Sequence, residues 1–335
     1  VKRLLCAVWC LAALAACGGG GGGSAVSPVA VASATPTPSP AAQNVARTPG
    51  PVVSHFFNPT LTDPAITTDT LADRSYAPTY PDNSTLLVWL PGQGAAPGAY
   101  TTISAFAASV GYHVVSVDYP NANAAATYCV LDMSCYGNVW WAKWDGRAGP
   151  EGITPANSIS NRVTKMLAYL AANYPTENWG QFAPGGTVTW SNTVFAGHSL
   201  GSMEAAAIGK IIPVKRVVLF AGPEDGVTQL NGSVNVPNWL SAAGATPLSS
   251  YYLFYHLQDT FMLSIVANNT ALGLDAFGPK TSVDGAAAPF GNSHELTTNV
   301  AAADPHHAVA FDGGIPLDGN GNPVYAAAWT YLFGP

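Results

Sequence analysis

The sequence predicts an α/β fold, a doubly wound and mostly parallel sheet with helices on both faces. Continuous apolar runs such as "TLLVWL" and "TVFAG" mark strands buried on both sides. Segments of helical period separate these runs, and strand, helix and strand at this spacing make a crossover unit whose strands pair in parallel. The alternation repeats to the end of the chain, which puts ligands at the carboxyl ends of the strands.

The chain begins "VKRLLCAVWCLAALAACGGGGGGS", with Lys2 and Arg3 ahead of an apolar run from Leu4 to Ala16. That run is too short for a permanent bilayer span, and residues 1–16 read as a signal peptide. Leu14-Ala15-Ala16-Cys17 resembles the lipobox of bacterial lipoproteins, which implies cleavage before Cys17 and acylation of its thiol. Export is expected whether the leader is of this type or an ordinary one. The protein would be anchored in the envelope through lipid, at the outer membrane, or secreted. Residues 17–54 are rich in Gly, Pro, Ala and Ser and read as a disordered tether, because they carry too little bulky apolar surface to order themselves.

The folded domain is expected over residues 55–335, long enough for one sizeable core. Processing leaves Cys129 and Cys135, six apart in "TYCVLDMSC" and without a His or Cys partner at metal-site spacing. In an oxidising compartment they read as a local disulfide, and no metal or cofactor is expected. Charged residues make up 9% of the chain, the net charge is −7 and there is no basic cluster, which gives no support to nucleic-acid binding.

In order, "TLLVWL" (85–90) is a strand ending at Pro91-Gly92, "AYTTISAFAASVG" a helix with a Gly stop, and "HVVSVDY" (113–119) a second strand. "NSISNRVTKMLAYLAANYP" puts Ile159, Val163, Met166, Leu167 and Leu170 on one helical face and stops before Pro175. "TVFAG" (193–197) is a β-branched strand, and "SMEAAAIGKII" from Ser202 is an Ala-rich helix. "VKRVVLFAGPEDG" then supplies a strand through Gly222 and "SSYYLFYHLQD" another from Ser250 to His256. "NPVYAAAWTYLFGP" closes the chain as an amphipathic helix carrying Val324, Ala328, Trp329 and Leu332.

Between the third of these strands and its helix lies Gly197-His198-Ser199-Leu200-Gly201, a G-x-S-x-G pattern at a strand-to-helix junction. A tight turn there forces the serine into strained backbone angles and leaves no room for side chains two residues away on either side. Ser199 would stand at the positive end of the helix, with the Leu200 N–H aimed at a developing oxyanion. His198 reads as structural or pocket-lining, because neighbours on such a turn point apart.

The order of strand, "LPGQG" loop, "GHSLG" elbow, a late strand ending in Asp and a later His resembles the α/β-hydrolase fold over residues 84 to 335. With "DYPN", "CVLDMSC", "GNSHELTT" and "PHHAVAFD", the chain looks like a sparsely characterised exported group of that fold. The resemblance implies a triad in the order Ser, acid, His. It favours Asp259 in "HLQD" as the acid, with Asp225 one strand earlier as the alternative. It favours His306 in "ADPHHAVAFDG" as the base, with the adjacent His307 as the alternative; His294 reads as a pocket or structural residue and Asp118 as structural. A neutral imidazole can take the serine proton while the acid holds its tautomer. Gln93 in "LPGQG" would supply the second oxyanion N–H beside Leu200.

The insert over residues 121–150 carries Tyr128, Tyr136, Trp140, Trp141 and Trp144. It reads equally as a pocket wall or lid for an apolar group and as packing against the sheet. The expected activity is hydrolysis of carboxylic esters, small or polymeric, through an acyl-enzyme. Amide or peptide hydrolysis by the same triad, or a non-catalytic binding module on a hydrolase scaffold, are the alternatives.

Overall fold

The computed structural model describes residues 49–80 and 82–334. The expected signal peptide, Cys17 and nearly all of the tether lie outside the described residues. The tether expected through residue 54 gives way earlier, because strand β1 (Val52–Phe57) pairs antiparallel with β2 (Asp73–Pro78). Of the β1 side chains only Phe57 is buried, so the strand rests on its ladder to β2.

The remaining strands are β3 (Leu86–Leu90), β4 (His113–Ser116), β5 (Thr193–His198), β6 (Arg216–Phe220), β7 (Val227–Thr228), β8 (Val234–Asn235), β9 (Tyr251–His256), β10 (Thr281–Ser282) and β11 (Glu295–Thr298). The helices are α1 (Thr101–Ser109), α2 (Ala126–Cys129), α3 (Tyr136–Asp145), α4 (Ile159–Asn173), α5 (Leu200–Ile211), α6 (Met262–Leu272) and α7 (Ala326–Phe333). Nine strands form one sheet in the order β1-β2-β4-β3-β5-β6-β9-β11-β10, while β7 and β8 make a separate hairpin. From β4 to β10 every neighbouring pair is parallel; β1 and β2 are antiparallel additions at one edge. The class is therefore α/β with a large, mostly parallel central sheet.

Both faces of that sheet are covered. In β3, Leu86, Val88 and Leu90 join one apolar cluster with residues of α3, α4 and α5, while Leu87 and Trp89 join a second with residues of α1 and α7. This two-sided burial explains why the strand reads as a continuous apolar run. Ser158 caps α4, its hydroxyl accepting from the Asn161 N–H, and the apolar face from Ile159 to Leu170 is buried. Helix α7 buries Ala328, Trp329 and Leu332, but it starts at Ala326 and leaves Val324 42% exposed outside it.

The insert belongs to the core. Trp140, Trp144 and Tyr136 are buried, and the Trp140 indole N–H donates to Asp225 at 2.7 Å. Lys143 is fully buried, donates to the carbonyls of Pro120 (2.6 Å) and Asn123 (3.2 Å), and pairs with Glu151 at 2.9 Å. A disulfide joins Cys129 to Cys135 across 5.5 Å between their Cα atoms. Opening such a segment would leave a buried ammonium and two tryptophans without partners, so packing is the role its residues serve.

Candidate active site

The strand order locates the site before any side chain is considered. From β3 the chain moves to one side to make β4, then returns to make β5 on the other side of β3. The order thus reverses between β3 and β5, and a crevice opens at their carboxyl ends. Leu90 pairs with Gly197 across these strands, so the "PGQG" loop and Ser199 emerge side by side.

Ser199 sits at φ 54° and ψ −124°, a region that an L-residue occupies only when its surroundings impose it. Its N–H donates to the Phe220 carbonyl at 2.9 Å, and Ser202 Oγ donates to its carbonyl at 2.7 Å. A methyl group at Gly197 would overlap the Gly201 carbonyl, and one at Gly201 would overlap the carbonyl of Leu90. Both glycines are thereby required by close backbone approach. Ser199 caps α5, which makes Leu200 the first helical residue, with an N–H that has no intrahelical acceptor.

Ser199 lies in a cleft of about 470 Å³ whose walls include Gln93, Phe261, His306, His307 and Phe311. Asp259 follows β9 and is nearly buried; its Oδ1 accepts the Phe261 N–H at 2.8 Å, and its Oδ2 lies 2.9 Å from His306 Nδ1. Burial of the His306 ring opposes its charge, but the hydrogen bond to Asp259 and the charges of Glu224 and Asp259 outweigh it and raise the pKa above the usual histidine value. His307 lies in the same cleft but stacks on Phe311 with its ring centroid 4.3 Å away, pairs with Asp304 at 2.8 Å, and is 38% exposed. Asp225 is turned away from the cleft. Its Oδ2 accepts the indole N–H groups of Trp140 (2.7 Å) and Trp239 (3.0 Å), and burial pushes its pKa up to about 7.

The loop of Gln93, the expected second oxyanion donor, is held by several hydrogen bonds. Asn121 Nδ2 donates to the carbonyls of Gly92 and Ala95, both at 2.9 Å, and the Gly92 N–H donates to Tyr100 Oη at 2.9 Å. The Gln93 side chain donates to the Ala122 carbonyl at 3.0 Å, which leaves its backbone N–H as the group available at the cleft. Tyr100 Oη continues to His198 Nδ1 at 3.1 Å, and His198 Nε2 meets the His306 carbonyl at 2.9 Å. Because burial lowers the His198 pKa to about 3, this ring is neutral; it accepts at Nδ1 and donates at Nε2. One chain of hydrogen bonds therefore links the Gly92 loop, the Ser199 turn and the His306 segment.

Sequence reasoning misses Glu224, the neighbour of Asp225. Its Oε1 shares a 3.0 Å hydrogen bond with Ser199 Oγ, and its Oε2 is shut from solvent with no partner among the described residues. Burial pushes its pKa up to about 8 against the opposing influence of His306 and Ser199. The clue in the sequence is that "GPEDG" follows the strand beside the elbow, with two carboxylates in a row. His294 sits away from this cleft, stacked on Tyr252 and Phe277 with Nδ1 2.9 Å from the Tyr251 carbonyl. Asp118 accepts the Leu71 N–H at 2.7 Å and belongs to the packing around β2 and β4. The sequence matches no protein-family model and no curated protein.

Proposed function

We propose that the protein is a serine hydrolase of the α/β-hydrolase fold that cleaves carboxylic esters through an acyl-enzyme. The observation that carries this reading is a strained serine at a strand-to-helix turn, sharing a cleft at the sheet's switch point with a half-buried His306 paired to buried Asp259. Ser199 Oγ attacks the ester carbonyl while its proton passes to His306 Nε2. The carbonyl electron pair moves onto oxygen, where the Leu200 and Gln93 N–H groups and the α5 dipole receive it. Collapse expels the alcohol with the proton from His306; a water then repeats the sequence on the acyl-enzyme and frees the acid. Asp259 holds Nδ1 protonated, so that Nε2 is the free base, and stabilises the imidazolium. The lipobox-like ending at Cys17 supports an anchored place in the cell envelope.

The test is turnover of short p-nitrophenyl esters together with labelling by a fluorophosphonate. Ser199→Ala is expected to lose at least about 10³-fold in turnover and all labelling while melting like the wild type. Undiminished turnover would overturn the reading. Turnover of peptides in preference to esters would replace esters with amides as the substrate class.

A further inference from the structure

The triad accounts for three side chains, yet the hydrogen bond made by Ser199 Oγ goes to a fourth. That partner, Glu224, lies 3.0 Å away, and no bond from Ser199 Oγ to His306 is made among the described residues. Proton counting makes this contact consequential. A serine hydroxyl has one hydrogen and two acceptor lone pairs. An ionised Glu224 can only accept, so it claims the one hydrogen that His306 must receive. A neutral Glu224 carries its own hydrogen, donates it to Oγ, and leaves the serine hydrogen free to turn toward His306.

We propose that Glu224 is a fourth catalytic residue: as a neutral acid it donates to Ser199 Oγ and frees the serine proton for His306, and on ionising it takes that proton and shuts the site down. The proposal rests on the hydrolase reading above. During attack the Oγ–C bond forms, the serine proton moves to His306 Nε2, and the Glu224 proton stays on its own oxygen. On deacylation the water proton goes to His306, the Oγ–C bond breaks, and Oγ recovers a proton from His306. At that step Glu224 steadies the departing Oγ by the same donated hydrogen bond.

Two features of the surroundings support the neutral form. Glu224 Oε2 is closed off from solvent without a hydrogen-bond partner among the described residues, which penalises a carboxylate far more than an acid. The charged and titratable groups around it are His306 on the segment after β11, Asp259 after β9, Asp225 on its own loop, and Tyr100 just ahead of α1. The two acids disfavour a negative charge at Glu224, Tyr100 is neutral, and a protonated His306 and the Ser199 hydroxyl favour one. Burial and these neighbours leave Glu224 neutral up to about pH 8. The productive state, neutral His306 beside neutral Glu224, therefore occupies a window bounded by His306 on the acid side and Glu224 on the alkaline side. Both limbs belong to the coupled pair.

The experiment is the pH dependence of kcat/KM for an uncharged ester, in the wild type and in Glu224→Gln. The amide of Gln keeps a donor and cannot ionise. The wild type is expected to fall off above about pH 8. Glu224→Gln is expected to remain within about tenfold of wild type at neutral pH, to lose the alkaline fall, and to keep its acid limb, because Glu224 is already neutral where that limb lies. An active Glu224→Gln with the same alkaline limb would overturn the role of Glu224 and leave the hydrolase reading standing. Turnover that survives Ser199→Ala would overturn both. Should Glu224→Gln misfold, the wild type alone decides: its rate of fluorophosphonate labelling must fall above about pH 8, and a rate that is flat or rising there overturns the proposal.

Discussion

Adjacent residues with the same chemistry serve different purposes here, and the partners of each tell them apart. Asp225 meets two indole N–H groups and Glu224 meets Ser199 Oγ. Asp225→Ala would strand the Trp140 and Trp239 N–H groups in the core and is expected to cost about 2–4 kcal/mol in urea denaturation. Activity per folded molecule should survive, and a selective loss of kcat with full stability would place Asp225 in the chemistry instead. Asp259→Asn should do the opposite, lowering kcat by about 10⁴ through the wrong His306 tautomer while the midpoint of unfolding stays within about 1 kcal/mol of wild type. His306→Ala should be as damaging as Ser199→Ala, whereas the half-buried His307, bound to Asp304, should tolerate Ala within a few-fold. Equal losses in the two variants would mean that the base has been misassigned. The serine was legible because its turn leaves a local signature of glycines at fixed offsets. Glu224 was not, because nothing local distinguishes it from Asp225. Only the pairing of β5 with β6, where His198 faces Phe220, decides which carboxylate meets the serine.

Strands and helices buried on the sheet's two faces could be read directly, since each carries its burial in its own sequence. Strand β3 is apolar throughout, and α4 has one apolar stripe. The edge pair β1 and β2 could not, because an antiparallel ladder between a largely exposed strand and one that begins with buried Asp73 is a nonlocal fact. The insert was ambiguous for a related reason: aromatic residues say that something is buried and not what buries it. Its role as packing depends on contacts from distant positions, such as Asp225 with Trp140 and the Pro120 carbonyl with Lys143. Two outcomes follow from this placement. Gly201→Ala pushes a methyl into the Leu90 carbonyl, backbone against backbone, and is expected to abolish soluble, cooperative folding or cost more than about 3 kcal/mol. Removing the disulfide with Cys129→Ala and Cys135→Ala releases only a short loop on a segment already anchored by Lys143 and Trp140. By loop entropy it should cost about 2 kcal/mol, and ester turnover should persist in the double variant. A double variant that folds but has lost turnover would show that the insert shapes the site directly.

Taken together, the buried acids impose a pH dependence on the whole molecule that differs from that of a protein built on surface ion pairs. Burial raises the pKa of Glu204 well above its usual value, that of Asp73 to about 8 and that of Glu224 to about 8. In the unfolded chain the same groups titrate near pH 4. Between about pH 5 and 8 the native state thus holds protons that the unfolded state has released, so stability falls as pH rises, by roughly 1.4 kcal/mol per pH unit for each such proton. Below about pH 6.5 the buried histidines act in the other direction. His198, with a pKa near 3, and His113 and His294, lowered by burial, stay neutral in the fold while the unfolded chain takes up their protons. These three protons offset part of the contribution of the acids, so stability should change less with pH below about pH 6.5 than above it, and thermal melts from pH 5 to 9 should drop most steeply on the alkaline side of neutrality. Glu204 provides the sharpest check, because both its carboxyl oxygens are buried without a hydrogen-bond partner among the described residues and it takes no part in the cleft. Glu204→Gln should shrink the decline by about one proton's worth, near 1.4 kcal/mol per unit, from about pH 5 upward. A variant whose decline above neutrality matches that of the wild type would mean that Glu204 is ionised in the native core, with Lys143 as its counter-charge.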